Sequence, residues 1–135
     1  MGLSISAFTD DKLVIRAPFA PNTNDKQTAF AGSLYSAMVL AGWMYVTGRL
    51  KKEGLDAEAV ASGAEIKYLK PVTSDFEAEC RLPEPSDWEK FVTRLQKRKN
   101  CKIKLPVTIE AGGELKVQLT GEYHAWMRSL RPFED

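Results

Sequence analysis

The sequence predicts an α+β fold in which one long helix is wrapped by a curved antiparallel sheet. Two observations carry this prediction: a charge-free stretch between Lys26 and Arg49, and downstream segments in which apolar and polar residues alternate. A helix that is apolar all round must be covered on every side, either by a sheet of the same domain or by a partner subunit. The chain has 135 residues, a usual length for one domain. We therefore expect a single domain over residues 1–135.

The charge-free stretch TAFAGSLYSAMVLAGWMYV, Thr28 to Val46, is long enough to cross a bilayer, for which roughly 20 apolar residues suffice. Its small and hydroxyl residues, Ser33 and Ser36 among them, make it less apolar than a typical span. The strand-like sequence that follows offers no second span to pair with it. We interpret it as a buried helix and expect no membrane partner.

Alternating residues predict the strands of the sheet. Leu13 to Ala17 forms a short strand before the helix. After the helix, two strands flank the turn-rich connection KPVTSD, and two longer ones form a hairpin around Gly112-Gly113. The alternating sets that we expect to face the core are Val60, Ser62, Ala64, Ile66 and Tyr68; Phe76, Ala78, Cys80 and Leu82; Cys101, Ile103, Leu105, Val107 and Ile109; and Leu115, Val117, Leu119, Gly121 and Tyr123.

A second, shorter helix is predicted between the two strand pairs, in EPSDWEKFVTRLQKRKN. Ser86 and Glu89 have the spacing of a capping box, and an apolar stripe follows at helical spacing. Pro106 lies on the polar face of its strand, where the missing N–H predicts an edge position or a bulge.

Composition argues against several classes of function. The 19 basic and 18 acidic residues nearly cancel, so the chain as a whole has no field that would attract nucleic acid. Cys80 and Cys101 are the only cysteines, with no CxxC and a single histidine, which predicts reduced, buried thiols and no metal site. The N-terminal MGLSISAFTDDK is too short and too polar for a signal-peptide core, so we expect a cytoplasmic protein.

Two stretches resemble the hotdog superfamily of acyl-CoA thioesterases, in which a curved sheet wraps a long apolar helix. NTNDKQTAFAGSL, residues 22–34, is similar to the segment where an Asn or Asp loop enters a helix that starts Phe-Gly-Gly; Phe30, Ala31 and Gly32 occupy that motif here. YLKPVTSD, residues 68–75, resembles their turn between the second and third strands, usually Phe-Leu-Arg-Pro-Val followed by Gly-Asp. The whole pattern is most similar to thioesterases of the YiiD C-terminal type.

The resemblance implies an acyl thioesterase but leaves its catalytic acid open. One branch carries an Asp on the central helix about nine residues after the motif's Phe, and here that position is Val39. Other branches place the acid in the loop before the helix. In this chain, Asp25 is the only carboxylate in that loop. Asp25 is therefore the candidate base if the protein is an enzyme.

Thioester hydrolysis needs an activated water and a group that stabilises the developing oxyanion. With Thr28 as the helix cap, free backbone amides near Ala31 and Gly32 would stabilise the oxyanion, because the first amides of a helix have no intrahelical partners. Asn24 would orient the water or the carbonyl, and Asp25 would accept the proton. The alternative is that PNTND is only a turn and a cap, which Asn and Asp favour for local reasons.

An acyl chain would need an apolar site along the same helix. We expect it along Phe30, Ala31, Ser33, Leu34, Tyr35 and Met38, most of which also suit an ordinary core. A run of basic residues would either bind coenzyme A phosphates or form a solvated helix end. The run consists of Lys97, Arg98, Lys99, Lys102 and Lys104. His124 is expected on the polar side of the last strand.

The leading hypothesis is a hydrolase that cleaves a coenzyme A or carrier-protein thioester without a metal or bound cofactor. Hotdog proteins join two sheets edge to edge with sites between subunits, so the resemblance also implies a homodimer or a dimer of dimers. Two alternatives are a non-catalytic acyl-binding module, because Val39 replaces the usual acid, and a structural domain with a filled core.

Overall fold

The computed structural model describes residues 2–19 and 31–128, which form one six-stranded antiparallel sheet and two helices. The strands are β1 (Ser4–Phe8), β2 (Lys12–Ala17), β3 (Ala57–Tyr68), β4 (Phe76–Arg81), β5 (Asn100–Ala111) and β6 (Glu114–Met127). The helices are α1 (Ala31–Lys52) and α2 (Pro85–Arg98). The sheet order is β1-β2-β4-β5-β6-β3. The curved sheet with a long helix packed against it confirms the predicted α+β hotdog fold.

The helix α1 lies against five strands, β2 to β6. Small residues such as Ala37 and Ala41 line its buried side and let the helix approach the sheet closely, while Tyr45 fills the space further along. Its opposite side carries Tyr35 and Trp43, both of which are exposed. The described part of this chain therefore covers only one side of an apolar helix. Neither described helix is long and apolar enough to cross a membrane.

Tyr123 of β6 fills the space between α1 and the sheet. Its ring is fully buried and its hydroxyl donates a hydrogen bond to the Val39 carbonyl at 3.0 Å. A Cβ atom on Gly42 would lie 1.9 Å from the Tyr123 hydroxyl oxygen, and one on Gly121 would lie 2.4 Å from it. Both positions need glycine because the ring comes this close to the backbone. Burial raises the pKa of Tyr123, so the phenol remains a hydrogen-bond donor.

The C-terminal half of α1 is fixed by a polar cluster around Arg49. Its guanidinium lies 4.6 Å from the centroid of the Trp88 ring and donates to the Asp10 carbonyl at 2.6 Å. The Tyr45 hydroxyl donates to the same carbonyl at 2.5 Å. Because Trp88 belongs to α2, the cluster ties both helices to the β1–β2 turn.

The strand β3 departs from the predicted alternation. Its register against β6 shifts at Ser62, which is the extra residue of a β-bulge. Before the bulge Ala59 is buried and Val60 is 44 % exposed, whereas beyond it Ile66 is half-buried. The expectation that Val60 and Ser62 face the core together with Ile66 is therefore wrong, because one extra residue exchanges the two faces of a strand.

The start of α2 also differs from the prediction. The helix begins at Pro85 with Glu84 as its N-cap, and the Glu84 N–H donates to the Asp87 carboxylate at 3.1 Å. Ser86 and Glu89 are therefore not the capping pair. Proline suits the first helical position because the N–H that it lacks would have no intrahelical partner there.

Pro106 marks the point where β5 loses a neighbour. The pairing of β4 with β5 ends at Cys80 and Val107, and Pro106 lies one residue beyond it. The edge position predicted for this proline is confirmed locally, although β5 is otherwise flanked by β4 and β6. The inward residues of β4 and β5 follow the predicted alternation.

Candidate active site

The turn 68–75, which we call the motif turn, contacts the chain at two places that frame the start of α1. At one end, the Tyr68 hydroxyl donates to the Ala31 carbonyl at 3.2 Å. At the other end, the Phe19 N–H donates to the Asp75 carboxylate at 2.7 Å. Phe19 and Ala31 flank residues 20–30, so the motif turn holds both ends of that segment. The two stretches that resembled hotdog thioesterases therefore meet in space.

A pocket of about 330 Å³ opens between the motif turn and the start of α1. Val72 and Leu34 form its buried part, and Leu69 is exposed beside it. Lys70 lines the same pocket and forms an ion pair with Glu114. Ala31, Tyr68 and Pro71 complete the lining. The pocket thus combines an apolar interior with one cation.

The first described turn of α1 lies beside this pocket. The first amides of an α-helix lack intrahelical acceptors, and the helix dipole makes this end electropositive. Ala31 and Gly32 are both exposed, and no acidic residue occupies the first turn to compete for the donors. Ser33 is only 2 % exposed, and its Oγ has no hydrogen-bond partner among the described residues. This end of the helix is suited to hold an oxygen that carries negative charge.

The structure brings together part of the predicted site. Ala31 and Leu34 line the pocket, and Gly32 lies at the exposed helix start. Tyr35 is exposed on the open side of α1, whereas Ser33 and Met38 are buried. Asn24, Asp25, Phe30 and the predicted cap Thr28 lie outside the described residues.

Sequence reasoning did not assign a role to the pocket residues of the motif turn. Tyr68, Lys70 and Val72 line the pocket, whereas their sequence pattern predicts only a strand end and a turn. One signal was available: the related motif usually starts with Phe, and this chain has Tyr68 in its place. A hydroxyl added to an otherwise apolar motif needs a partner, and the partner is the first residue of α1.

The basic run lies at the other end of the sheet. Tyr68 pairs with Val117 of β6, whereas Lys102 pairs with His124, seven residues further along. At about 3.4 Å per strand residue, these positions are roughly 24 Å apart. Within one chain, the run is therefore remote from the pocket. His124 is half-buried on the polar side of β6, as predicted, and packs against Trp126.

The two cysteines are both free but differ in environment. Burial raises the pKa of Cys80 to about 12, so this thiol is inert. Cys101 is only half-buried, and the Arg94 guanidinium donates to its sulfur at 3.1 Å. The expectation that both thiols are buried holds for Cys80 alone.

A curved antiparallel sheet around one long helix, with a pocket at the N-terminal end of that helix, defines a thioesterase-type hotdog protein. The chain belongs to the family described as "Putative thioesterase (yiiD_Cterm)", whose model matches residues 1–127.

Solved structures agree with this assignment. A protein described as a putative thioesterase from Shewanella oneidensis is 36% identical with a TM-score of 0.83, and the match covers 93% of this chain and 85% of that one. A protein of unknown function from Chlorobaculum tepidum TLS is 31% identical with a TM-score of 0.88, over 95% of this chain and 84% of that one. The E. coli PaaI protein from the phenylacetic acid degradation operon, at 17% identity, TM-score 0.64 and coverage of 91% and 78%, shares the fold.

Proposed function

We propose that the protein hydrolyses an acyl thioester of coenzyme A or of a carrier protein by direct attack of water. The observation that carries the proposal is the position of the motif turn. Through Tyr68 and Asp75 it holds both ends of the segment that contains Asn24 and Asp25, beside a pocket at the start of α1. A base in that segment would then act close to the free amides of the helix.

The proposed reaction uses these groups in a simple order. The Asp25 carboxylate takes a proton from a water that Asn24 orients, and the water oxygen attacks the thioester carbonyl carbon. The negative charge that develops on the carbonyl oxygen is stabilised by the Gly32 N–H and the positive end of the helix dipole. Collapse of the intermediate breaks the carbon–sulfur bond, and the leaving thiolate receives the proton from Asp25. The products are a carboxylic acid and a free thiol.

The pocket supports a short acyl group. Its volume of about 330 Å³ lies near the lower end of the range usual for small-molecule sites, roughly 300–1,000 Å³. Leu34 and Val72 offer apolar surface in its interior, and Leu69 does so at the rim. We expect short acyl chains to be hydrolysed faster than long ones.

The experiment that tests the proposal is thiol release from a series of acyl-CoAs of increasing chain length and from one acyl carrier protein. Asp25→Asn should lower kcat by roughly 100-fold or more, because it removes the base and keeps the shape of the side chain. Asp11→Asn is the control, since Asp11 is an exposed carboxylate in the β1–β2 turn. Full activity of Asp25→Asn would move the base elsewhere.

The alternative is a module that binds acyl thioesters without cleaving them. It is favoured by one observation: α1 carries no carboxylate between Ala31 and Lys52, and Val39 stands where a related branch has its acid. This alternative predicts saturable binding of an acyl-CoA with no thiol release, and Asp25→Asn would leave the Kd nearly unchanged.

We also propose that two copies associate through β3. This strand is 12 residues long and ends the sheet, so among the described strands it pairs only with β6. A long edge that no further described strand pairs with is a template for pairing with another chain. Exposed apolar residues lie on or next to it, namely Val60, Tyr68 and Leu69, together with Tyr35 and Trp43 on the open side of α1. A second copy would cover both the edge and the helix.

Analytical ultracentrifugation tests this association. The wild type should sediment as a dimer or as a dimer of dimers at micromolar concentration. Val60→Lys should weaken association at least about 10-fold, because a lysine on an edge strand opposes edge-to-edge pairing. Thr120→Lys is the matched control, since Thr120 is exposed in β6, an interior strand. A wild-type monomer would contradict the proposal.

A further inference from the structure

We propose that Tyr68 is a positioning residue for thioester hydrolysis, acting through the peptide bond between Ala31 and Gly32. The inference rests on the proposed function and adds a residue to it. Tyr68 lies at the end of β3, and its hydroxyl donates to the Ala31 carbonyl at 3.2 Å. The contact joins the sheet to the first residue of α1 across a separation of 37 residues.

The geometry of the peptide unit gives this contact its importance. The carbonyl of Ala31 and the N–H of Gly32 belong to one planar group, so a bond that fixes the carbonyl also fixes the N–H. The two groups point in opposite directions along the helix. The Tyr68 hydroxyl therefore holds the carbonyl side, and in the proposed reaction the N–H side meets the substrate oxygen.

The same contact strengthens the donor. A hydrogen bond to a carbonyl polarises the amide, and cooperative strengthening of this kind is on the order of 10–30% per bond. The first residues of a helix also tend to fray, and a tie to the sheet opposes this. Tyr68 thus orients the Gly32 N–H and raises its donor strength in the turn where the oxyanion would form.

The state of the Tyr68 hydroxyl suits this role. Burial raises the pKa of Tyr68, with the neighbouring Tyr35 as a second cause, so the phenol stays protonated and remains a donor. The ring is 49 % exposed, so little of the core depends on it. The related motif has Phe at this position, and a Tyr68→Phe variant is therefore expected to fold.

Kinetics of Tyr68→Phe give the first test, with the acyl-CoA that the wild type cleaves fastest as substrate. We expect kcat to fall about five-fold while KM stays within about two-fold, because the lost interaction acts only when charge develops on the carbonyl oxygen. Tyr123→Phe is the matched control. It removes another tyrosine hydroxyl that donates to a carbonyl of α1, that of Val39, eight residues further along the helix. Its kcat should match that of the wild type.

Nuclear magnetic resonance gives a second test that needs no substrate. In the ¹⁵N,¹³C-labelled protein, Tyr68→Phe should shift the Ala31 carbonyl carbon and the Gly32 amide, whereas Tyr123→Phe should shift the Val39 carbonyl carbon and the Leu40 amide and leave Gly32 in place. An unmoved Gly32 amide in Tyr68→Phe would overturn the contact itself.

The outcomes separate this inference from the proposed function. A Gly32 shift with unchanged kcat would overturn the catalytic role of Tyr68 and leave thioester hydrolysis standing. A parallel rise in KM without a fall in kcat would make Tyr68 a substrate contact instead. If the wild type releases no thiol from any substrate, the proposed function and the catalytic role of Tyr68 are both overturned. The NMR spectra would still test the contact between Tyr68 and Ala31.

Discussion

Gly42→Ala should destabilise the protein although alanine is the better helix former. In an exposed helix interior, this change would stabilise by about 1 kcal/mol. Here the new Cβ would lie 1.9 Å from the Tyr123 hydroxyl oxygen and 2.2 Å from its Cζ. Tyr123 is fully buried, so its ring cannot move without displacing other core residues. The ring must therefore shift by about 1.5 Å or more to restore an ordinary contact distance.

Two costs oppose the gain in helix propensity. Overpacking a well-packed core typically costs 1–3 kcal/mol. Breaking the bond from Tyr123 to the Val39 carbonyl leaves a buried hydroxyl unpaired, at a further cost of about 1–3 kcal/mol. We expect the free energy of unfolding to fall by about 3 kcal/mol in all, which for a domain of this size lowers Tm by roughly 10 °C.

Urea and thermal unfolding at one fixed protein concentration measure this change, since association would make Tm depend on concentration. Gly48→Ala is the matched control in the same helix. Its Cβ would meet the tip of the Phe8 ring at 2.6 Å, but Phe8 is only half-buried and is free to move. Its effect should stay within about 1 kcal/mol.

A double-mutant cycle assigns the cause. In a Tyr123→Ala background the obstacle is gone, so adding Gly42→Ala should be neutral or stabilising by up to about 1 kcal/mol. If Gly42→Ala costs the same in both backgrounds, contact with Tyr123 is not the reason for the glycine. If it stabilises the wild type, the packing argument is wrong.

Three further results are expected. Ser33→Ala should leave the free energy of unfolding unchanged or raise it by about 1 kcal/mol, because the buried Ser33 Oγ has no described hydrogen-bond partner. If this variant keeps its stability but loses thiol release, the Ser33 hydroxyl is a substrate contact. Ellman's reagent at pH 8 should react with Cys101 in the folded protein and with Cys80 only after denaturation, as mass spectrometry of the labelled peptides would establish. The folded state raises the pKa of the Cys80 thiol from 9.0 to about 12. As the pH rises, the unfolded state loses this proton first, so the free energy of unfolding should fall between pH 9 and 12. Cys80→Ala should remove this component of the pH dependence.

Much of the fold could be predicted because burial leaves a periodic trace in sequence. In β4, β5 and β6 every second residue faces the core, and α1 is recognisable by the absence of charge before Arg49. The bulge at Ser62 leaves no such trace, because the alternation of small residues in β3 fits either face equally well. β1, with the sequence SISAF, is too short and too polar in pattern to be distinguished from a loop.

The site was predictable only at the level of residue types. The amides proposed to hold the oxyanion follow from the helix start that the motif predicts. The contacts of Tyr68 with Ala31 and of Asp75 with Phe19 join residues 37 and 56 positions apart. Such contacts form only because the folded sheet brings β3, the motif turn and the residues after β2 close together. Local sequence patterns carry no information about that arrangement.

The two ties of the motif turn also bear on how such a protein diverges. Because Phe19 and Ala31 are both hydrogen-bonded to the same short turn, two contacts outside residues 20–30 fix the distance that this segment must span. The entropy of closing a loop changes only slowly with its length. Substitutions or insertions between residues 20 and 30 should therefore cost the sheet little, and under the proposed function they would alter the chemistry. Residues 20–30 are therefore the part of the chain where a new acid or a new specificity could be introduced at little cost to the fold.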